Sequence, residues 1–504
     1  MIKKRIIRIV ISIILILGIL FVLQRLLVPK YVDDVVEGAL IAEYYDEPKN
    51  HDVIFVGDCE VYENISPLVL YDEYGINSYI RGSAQQLIWQ SYYLMEDTLK
   101  YEKPKVMVFN VLSLKYNEPQ HEAYNRMTLE GMRWSMSKVN SIKASMTDAE
   151  HFIEYVFPIL RYHSRITELK PTDIEYLGGI DKKVSHNGYY MRVDVRPADF
   201  VPDGNVLGDY NFGENAMKYL DMMTQLCKEN NVELLLIKAP SLYPYWYPEW
   251  ETQVEDYAKE NGLNYINCLE YQNEIGLDYS LDTYDAGLHL NLSGAEKLSR
   301  FLGKYLVDKY SLSDRRDEEP LKTFWNQKRE EYYNDKNTQL LALSESTENI
   351  ETDQNDSTKE GSLEKTNEGA SGYGFNYLGT EINVDVPSKS VIEALGEPVS
   401  FYEAVSCAFE GLDKIYTYPN FQIETYPLNN DDYISTISLK DDSVSTKEGV
   451  VIGASREDVI EKYGNPSSEV NGKITYEKDN MLLNFIIRDN SVALIEYKSK
   501  ALEE

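Results

Sequence analysis

Cys59 combines a reactive side chain with a local pattern that suits catalysis. It follows a short apolar run, in Gly57-Asp58-Cys59-Glu60, where a strand would end and a helix begin. A thiol is a good nucleophile near neutral pH, and backbone amides at the start of a helix favour its thiolate. The flanking carboxylates of Asp58 and Glu60 act against this, because nearby negative charge raises the pKa of a thiol. Two interpretations stay open, a nucleophile or a remnant in a protein that has lost the reaction.

His289 is the candidate base for this thiol. It lies in the segment 285–291, just ahead of a Ser293-Gly294 pair that would open a helix. A histidine takes a proton from a neighbouring nucleophile most effectively when a carboxylate fixes its tautomer. Asp285 is the expected carboxylate, and Asp282 is the alternative if the loop is longer.

Attack on a carbonyl would also require hydrogen-bond donors for the oxyanion. The backbone amides of Cys59 and Gly82 and the side-chain amide of Asn110 are expected to supply them, because each residue lies at the end of a predicted strand. Parallel strands end at the same edge of a sheet, which is where ligands bind in such folds.

The elements that would position these residues belong to an α/β domain at about 35–310. Short apolar runs alternate there with amphipathic helical segments, which predicts a mainly parallel sheet. The predicted strands are 53–56, 78–80, 106–112, 232–237 and 264–266. A long, mostly helical insertion at 115–205 is expected to act as a lid over the strand ends.

A proline-rich loop after the fourth predicted strand carries five aromatic residues, and four of them are candidates for substrate binding. Such rings either stack on sugar rings or close the end of the core, and the sequence favours neither interpretation. The candidate substrate-binding residues are Tyr243, Trp246, Tyr247 and Trp250.

The segment 6–28 is predicted to be a single transmembrane anchor. Its only charged residues are Arg8 and Arg25, and arginine side chains can snorkel to lengthen the usable span. The basic residues before it place the stub 1–5 in the cytoplasm, so most of the chain is expected on the outer face of the cell membrane. The alternative is a cleaved signal peptide, but the exit from this segment has no small-residue cleavage pattern.

Composition restricts the remaining function classes. A chain of 504 residues is expected to form two or more domains, and a net charge of -33 argues against nucleic acid as a partner. The four cysteines are far apart and have no metal-ligand spacing. We therefore expect neither a metal site nor a disulfide framework, and no organic cofactor.

The C-terminal part is predicted to be a separate module. An amphipathic helix at 311–343 precedes a disordered acidic linker at 344–372. A small α+β unit at 373–500 then contains an internal repeat, in which 391–398 recurs as 459–466 and gives copies at about 375–440 and 447–500. This tandem unit resembles the small repeats of bacterial lipoproteins and of β-lactamase inhibitory proteins. No acid, base or ligand cluster recurs in both copies of its sequence, so we interpret it as a binding or spacing module.

The order of the candidate site motifs resembles the SGNH/GDSL hydrolase superfamily, in which a strand-end G-D-S turn carries the nucleophile and a late D-x-x-H element carries the base. The resemblance covers about residues 50–308 and is nearest to membrane-anchored members that take part in O-acetylation of exopolysaccharide and D-alanylation of teichoic acid. Three departures distinguish this chain. Cys59 stands in place of serine, Asp285 lies four residues before His289, and the G-x-N-D element is reduced to Asn110.

The resemblance implies an SGNH-like three-layer domain and an extracytoplasmic esterase or O-acyltransferase. The substrate would be an acylated cell-envelope polysaccharide, and Cys59 would form a covalent acyl-enzyme with the help of His289 and Asp285. The alternative is an inactive surface protein of the same fold that binds glycan or an envelope partner. A third interpretation is a scaffold that presents the C-terminal repeats to a protein partner.

Overall fold

The chain forms two compact units, which are described separately here. The first consists of Met1–Asp199, Phe212–Ser241 and Gln253–Ser344, and the second of Phe200–Asn211, Leu242–Thr252 and Glu345–Glu504. The computed structural model describes all residues except 1, 31–36, 121, 148–149, 168, 178–182, 199–206, 356–372, 378, 397, 399, 406–411, 419, 429–430, 440–443, 471–472, 489–490 and 501–504.

Helices and strands alternate through most of the first part of the chain. The elements up to residue 355 are α1 Ile2–Leu27, α2 Glu37–Glu43, β1 Val53–Gly57, α3 Cys59–Tyr62, α4 Pro67–Tyr74, β2 Ser78–Gly82, α5 Ile88–Thr98, β3 Val106–Asn110, α6 Glu122–Gly131, α7 Met136–Ser145, α8 Phe152–Val156, α9 Ile159–Tyr162, α10 Pro171–Leu177, α11 Glu214–Asn230, β4 Glu233–Lys238, α12 Pro248–Asn261, β5 Asn264–Asn267, α13 Gln272–Ile275, α14 Leu292–Tyr310 and α15 Leu321–Asn355. Short 3-10 helices occur at Tyr44–Asp46, Val111–Lys115 and His163–Thr167.

The five strands form one parallel sheet in the order β2-β1-β3-β4-β5. The predicted parallel α/β sheet is therefore confirmed. Every residue of β1, β2 and β3 is buried, as expected for strands with helices on both faces. The third strand ends earlier than predicted, because residues 111 and 112 belong to the 3-10 helix that follows Asn110. All five strands end at one edge of the sheet, where the candidate site lies.

The insertion after β3 contains the helices α6 to α10, followed by an extended segment at 183–198. Backbone hydrogen bonds tie this extended segment to three parts of the unit. Ile80 in β2 donates to Asn187 at 3.0 Å, and Tyr190 donates to Tyr62 in α3 at 2.8 Å. At the start of α14, Leu292 donates to Arg192 at 2.6 Å. The C-terminal part of the predicted insertion is thus hydrogen-bonded to β2, to α3 and to the start of α14.

Helix α15 packs into the core of the first unit. Its Trp325 is buried, donates from Nε1 to Oδ1 of Asn77 at 3.0 Å, and stacks on Tyr71 with ring centroids 4.8 Å apart. The helix differs from the predicted 311–343: it begins at Leu321 and continues to Asn355, through the start of the predicted acidic linker. The rest of that linker, 356–372, lies outside the described residues.

Helix α1 is long and apolar enough to cross a membrane. The candidate span is Arg5–Leu27, with a mean hydropathy of 3.2, and none of its most apolar window is buried. These bounds agree with the predicted anchor at 6–28 within one residue at each end. The length and composition of the helix weakly support membrane anchoring.

The second unit carries the C-terminal module. Its elements beyond α15 are β6 Phe375–Tyr377, β7 Thr380–Ile382, α16 Ser388–Leu395, β8 Ser400–Val405, β9 Leu412–Thr417, β10 Phe421–Leu428, β11 Asp431–Leu439, α17 Arg456–Tyr463, β12 Ser468–Val470, β13 Lys473–Lys478, β14 Met481–Arg488 and β15 Ser491–Ser499. Strands β8 to β15 form one antiparallel sheet in the order β12-β13-β14-β15-β11-β10-β9-β8, and β6 pairs with β7.

The order of the large sheet reflects the internal repeat of the sequence. Each copy supplies one helix and a four-stranded meander, and the last strands of the two copies, β11 and β15, pair at the centre. Both helices end at a glycine of positive φ, Gly396 and Gly464, the usual helix terminator. The carbonyl of each glycine accepts a tyrosine hydroxyl, from Tyr418 at 3.2 Å and Tyr476 at 2.8 Å.

Replacement of Trp325 tests whether α15 belongs to the fold of the first unit. Trp325→Ala removes a buried ring and a buried hydrogen bond, so it should lower the free energy of unfolding by about 3–5 kcal/mol. Tyr333→Ala on the same helix is the matched control: this side chain is 47% exposed, and its loss should cost less than about 0.5 kcal/mol. Denaturant titration of the full chain in detergent, followed by circular dichroism, compares the two. Equal effects would contradict the packing described.

Candidate active site

A tight turn between β1 and α3 places Cys59 at the edge of the sheet. Asp58 caps α3, and its carboxylate accepts from the backbone amide of Glu60 at 3.2 Å. The turn requires glycine at position 57, because a Cβ there would lie 2.5 Å from Cγ2 of Val61. Cys59 is therefore the first residue of α3, and its side chain is partly exposed.

The segment before α14 supplies His289, which is buried. Asp285 binds this residue twice: Oδ1 accepts from the backbone amide of His289 at 2.8 Å, and Oδ2 lies 2.6 Å from Nδ1. The alternative carboxylate, Asp282, instead pairs with Lys297 at 2.5 Å and accepts the backbone amide of Asp278 at 2.7 Å. Of the two predicted candidates, Asp285 is the one in contact with the histidine.

A second carboxylate at the imidazole, Glu63, was not expected from the sequence. Its Oε2 lies 3.3 Å from Nδ1 of His289 and accepts the hydroxyl of Tyr284. Burial raises the pKa of Glu63, and the neighbouring His289 opposes that shift. The available sequence signal was its position four residues after Cys59, because residues so spaced lie on the same face of a helix.

Cys59 and His289 are electrostatic neighbours. Burial raises the pKa of the Cys59 thiol to about 11, although the charge of His289 and a hydrogen bond to it act in the opposite direction. Nε2 of His289 is buried and makes no hydrogen bond of regular geometry to any residue described in the structure. The thiol contact is thus looser than a standard hydrogen bond, as is common for catalytic pairs without a substrate. At neutral pH the resting group is the thiol.

His289 carries a proton in the same resting state. Burial alone would lower its pKa, but the Cys59 sulfur when ionised, together with the carboxylates of Glu63 and Asp285, outweighs burial and holds the pKa well above its usual value. These surroundings favour the imidazolium form, and the role of His289 as the base for Cys59 stays a prediction. The histidine can accept a proton only after it has given one away.

A buried polar network lies behind the turn. The side-chain amide of Asn110 donates to Oδ1 of Asp58 at 3.2 Å and to Oε2 of Glu60 at 2.8 Å, and its oxygen accepts the backbone amide of Ala239 at 3.0 Å. Lys238 forms a fully buried ion pair with Glu60 at 2.9 Å. The amide of Asn110 is thus engaged by two carboxylates. Its predicted oxyanion role would require those bonds to be given up.

Gly82, the other predicted oxyanion residue outside the turn, pairs with Gly57 in the sheet. A Cβ at Gly82 would lie 3.0 Å from the carbonyl oxygen of Gly57 and 3.3 Å from Cβ of Tyr62. Its backbone therefore runs directly beneath α3. The structure places Gly82 next to the turn of Cys59, and its oxyanion role stays a prediction.

The four aromatic candidates lie in the segment Leu242–Thr252 of the second unit. Tyr243, Trp246, Tyr247 and Trp250 are all buried. Trp250 meets Trp246 and Tyr247 edge to face, with centroids 5.5 and 4.7 Å apart. This packing accounts for the aromatic residues without a ligand. Sugar stacking stays a prediction that would require the rings to become exposed.

The other cysteines in the described part of the chain differ from Cys59 in exposure. Cys227 and Cys268 are buried, and burial raises the pKa of each thiol to about 12. Cys407 lies outside the described residues. Cys268 is therefore a suitable control for reactivity at Cys59.

Within the described residues, no cluster of three or more His, Cys, Asp or Glu side chains is arranged to hold a metal ion.

Comparisons with known proteins do not assign this site. No protein-family model matches the chain, and a search of curated proteins finds no match. The interpretation of the site therefore depends on its own residues and geometry.

Asp58 gives the fold a specific pH dependence. Burial, and then the neighbouring Glu60, raise the pKa of Asp58 to about 7, whereas an unfolded aspartate titrates near a pH of about 4. The folded chain thus binds the extra proton, and this contribution to stability is fully present below the unfolded pKa and is lost as the pH rises through the folded pKa. Asp58→Asn is uncharged at every pH, so its stability should fall less than that of the wild type between about pH 5 and pH 8.

Denaturant midpoints at the two pH values measure this difference. Asp317→Asn is the control, because the Asp317 side chain is 99% exposed and its loss should leave the wild-type dependence unchanged. An Asp58→Asn variant whose midpoint falls in parallel with the wild type would contradict the assignment.

Proposed function

We propose that this chain is a membrane-anchored thiol enzyme of the cell envelope that cleaves acyl esters of glycans or transfers the acyl group to another hydroxyl. One observation carries the proposal: a partly exposed Cys59 lies beside a buried His289 that two carboxylates, Asp285 and Glu63, hold from the opposite nitrogen. Nucleophile, proton carrier and orienting group are the parts that acyl transfer requires.

The first half-reaction begins when the Cys59 thiol loses its proton to solvent. The thiolate stands beside the imidazolium of His289, and its sulfur attacks the ester carbonyl carbon. As the carbon–oxygen bond breaks, the imidazolium gives its proton to the leaving sugar oxygen. The products are a thioester at Cys59, a free sugar hydroxyl and a neutral imidazole.

The second half-reaction uses His289 as a base, because it is now neutral. The imidazole takes a proton from water or from an acceptor hydroxyl, the oxygen attacks the thioester carbon, and the carbon–sulfur bond breaks. This restores the thiolate and the imidazolium. Water gives hydrolysis, whereas a sugar hydroxyl gives an O-acylated glycan.

The two carboxylates keep the imidazole in the required orientation and charge state. Asp285 accepts from Nδ1, which directs Nε2 toward the thiol. Glu63 adds negative charge at the same nitrogen, and Tyr284 lies parallel to the ring with centroids 6.0 Å apart. Both acids favour the protonated imidazole that the first half-reaction needs as an acid.

The glycan substrate and the envelope location are supported by the sequence and by α1. The ordered motifs around Cys59, Asn110 and His289 resemble SGNH/GDSL hydrolases, and the parallel five-stranded sheet is compatible with that resemblance. The apolar span Arg5–Leu27, preceded by basic residues, supports an anchor with the bulk of the chain outside the cytoplasm. The C-terminal tandem module would then bind envelope glycan or a protein partner.

A specific observation favours a second candidate, an inactive protein that binds glycan or an envelope partner. Burial keeps the pKa of Cys59 at about 11, so little of the thiol is ionised at neutral pH. A site that had lost its reaction could keep this arrangement for stability alone, because the buried carboxylates require a cation.

An activated acyl ester distinguishes the two candidates. The full chain in detergent is exposed briefly to the ester, and intact mass and peptide mapping locate the adduct. We expect one acyl group at Cys59 in the wild type and in the Cys268→Ala control, and none there in Cys59→Ala. In His289→Ala, adduct formation should slow by about tenfold or more, because the positive charge and hydrogen bond that favour the Cys59 thiolate are lost. An unmodified Cys59 that is also inert to alkylating agents would refute the enzyme and favour the binding protein.

A further inference from the structure

The helical segment 151–177, which we term the juxtamembrane segment, is bound to the end of α1. It comprises α8, α9, the 3-10 helix and α10. The guanidinium of Arg25 donates to the carbonyl oxygen of Tyr176 at 2.9 Å, and Arg165 donates to the carbonyl oxygen of Leu27 at 2.6 Å. The C-terminal end of α1 therefore both donates a hydrogen bond to this segment and accepts one from it.

A buried carboxylate strengthens this junction. Asp173 in α10 accepts from Arg165 at 3.1 Å and lies 3.4 Å from Nζ of Lys30, just beyond α1. The Asp173 side chain is only 2% exposed, and partly buried ion pairs are less weakened by solvent than surface pairs. The segment and the helix end form one continuous structure within the first unit.

The same segment exposes many large apolar side chains. Soluble surfaces rarely concentrate such groups in one place, and a concentration of this kind marks an interaction site. Ile153 lies in α8, Phe157 directly follows that helix, and Leu160 lies in α9. The exposed residues are Ile153 at 50%, Phe157 at 48%, Leu160 at 51%, Ile166 at 59%, Ile174 at 64% and Leu177 at 37%.

The position of these side chains follows from the length of α1. Its span of 23 residues is about 35 Å long at 1.5 Å per residue, against a hydrocarbon core of about 30 Å. Leu27 therefore lies at one membrane–water interface, and a segment that donates to its carbonyl oxygen lies in the same layer. Large apolar side chains exposed at this level are typical of helices that lie in the headgroup layer of a membrane.

We propose that the juxtamembrane segment lies on the outer surface of the bilayer, with its exposed apolar side chains in the headgroup layer of the lipid. This inference rests on the proposed anchoring by α1. The bilayer is the occupant that the structure favours, because the segment that exposes these side chains is hydrogen-bonded to the end of the apolar helix. The segment is thus a second membrane contact, and it restricts how the α/β unit turns relative to the membrane.

Photo-cross-linking of the full chain in lipid vesicles tests the proposal. Leu160, Ile174, Leu15 and Leu281 are replaced one at a time by benzoylphenylalanine, and the vesicles contain phosphatidylcholine and phosphatidylglycerol with tritiated acyl chains. Leu15 lies inside α1, whereas Leu281 is 58% exposed outside the segment and is the matched control. We expect lipid label at positions 15, 160 and 174 to exceed that at 281 several-fold.

The alternative outcomes separate this inference from the proposed anchor. Label at position 15, with positions 160 and 174 no higher than 281, would overturn the surface contact and leave the anchor in place. Absence of label at position 15 would refute the anchor itself and the inference with it. Cross-links from 160 and 174 to another protein in cell membranes, in place of lipid, would overturn lipid as the occupant.

Discussion

The imidazole of His289 is shared between two carboxylates, the buried Glu63 and the partly exposed Asp285, and the arrangement of the sheet edge depends on this contact. Asp285 reaches Nδ1 from the loop before α14, whereas Glu63 reaches it from the end of α3. His289 thus links the end of α3, which follows β1, to the segment that precedes α14. Removal of the positive charge would leave the buried carboxylate of Glu63 without this cation, which is strongly destabilising in protein interiors. The same pairing keeps the histidine protonated.

A second buried ion pair lies on the other side of the Cys59 turn. Lys238 at the end of β4 neutralises Glu60, and Asn110 bridges Glu60 to Asp58. Two ionic contacts therefore hold the residues after the Cys59 turn: Lys238 with Glu60, and His289 with Glu63. Burial, and then the neighbouring Glu60, raise the pKa of Asp58 to about 7. Burial is the main reason for the raised pKa of the Cys59 thiol; His289 opposes it, and Asp58 and Glu63 add smaller contributions in the same direction as burial.

Local patterns in the sequence predicted the sheet and part of the site. The apolar runs that form β1 to β5 are short and bounded by turn residues. Cys59 lies in a turn closed by its neighbours Asp58 and Glu60, and His289 contacts Asp285 only four residues away. Glu63 and Lys238 could not be placed, because their contacts depend on the phase of α3 and on which strand lies beside β3. The docking of Trp325 against Tyr71 likewise depends on tertiary packing. The aromatic loop could not be interpreted, since periodicity does not distinguish buried rings from exposed ones.

The most direct test of the Cys59–His289 pair is the alkylation rate of Cys59 by iodoacetamide as a function of pH. A thiol with a pKa of about 11 predicts a rate that rises about tenfold for each pH unit between about 7 and 10 without a plateau, because the thiolate is the reactive form. In His289→Gln the rate should be lower at each pH, since the imidazolium and its hydrogen bond lower the pKa of the thiol. A wild-type rate that is already constant near neutral pH, or one that His289→Gln leaves unchanged, would contradict the coupling of these two residues.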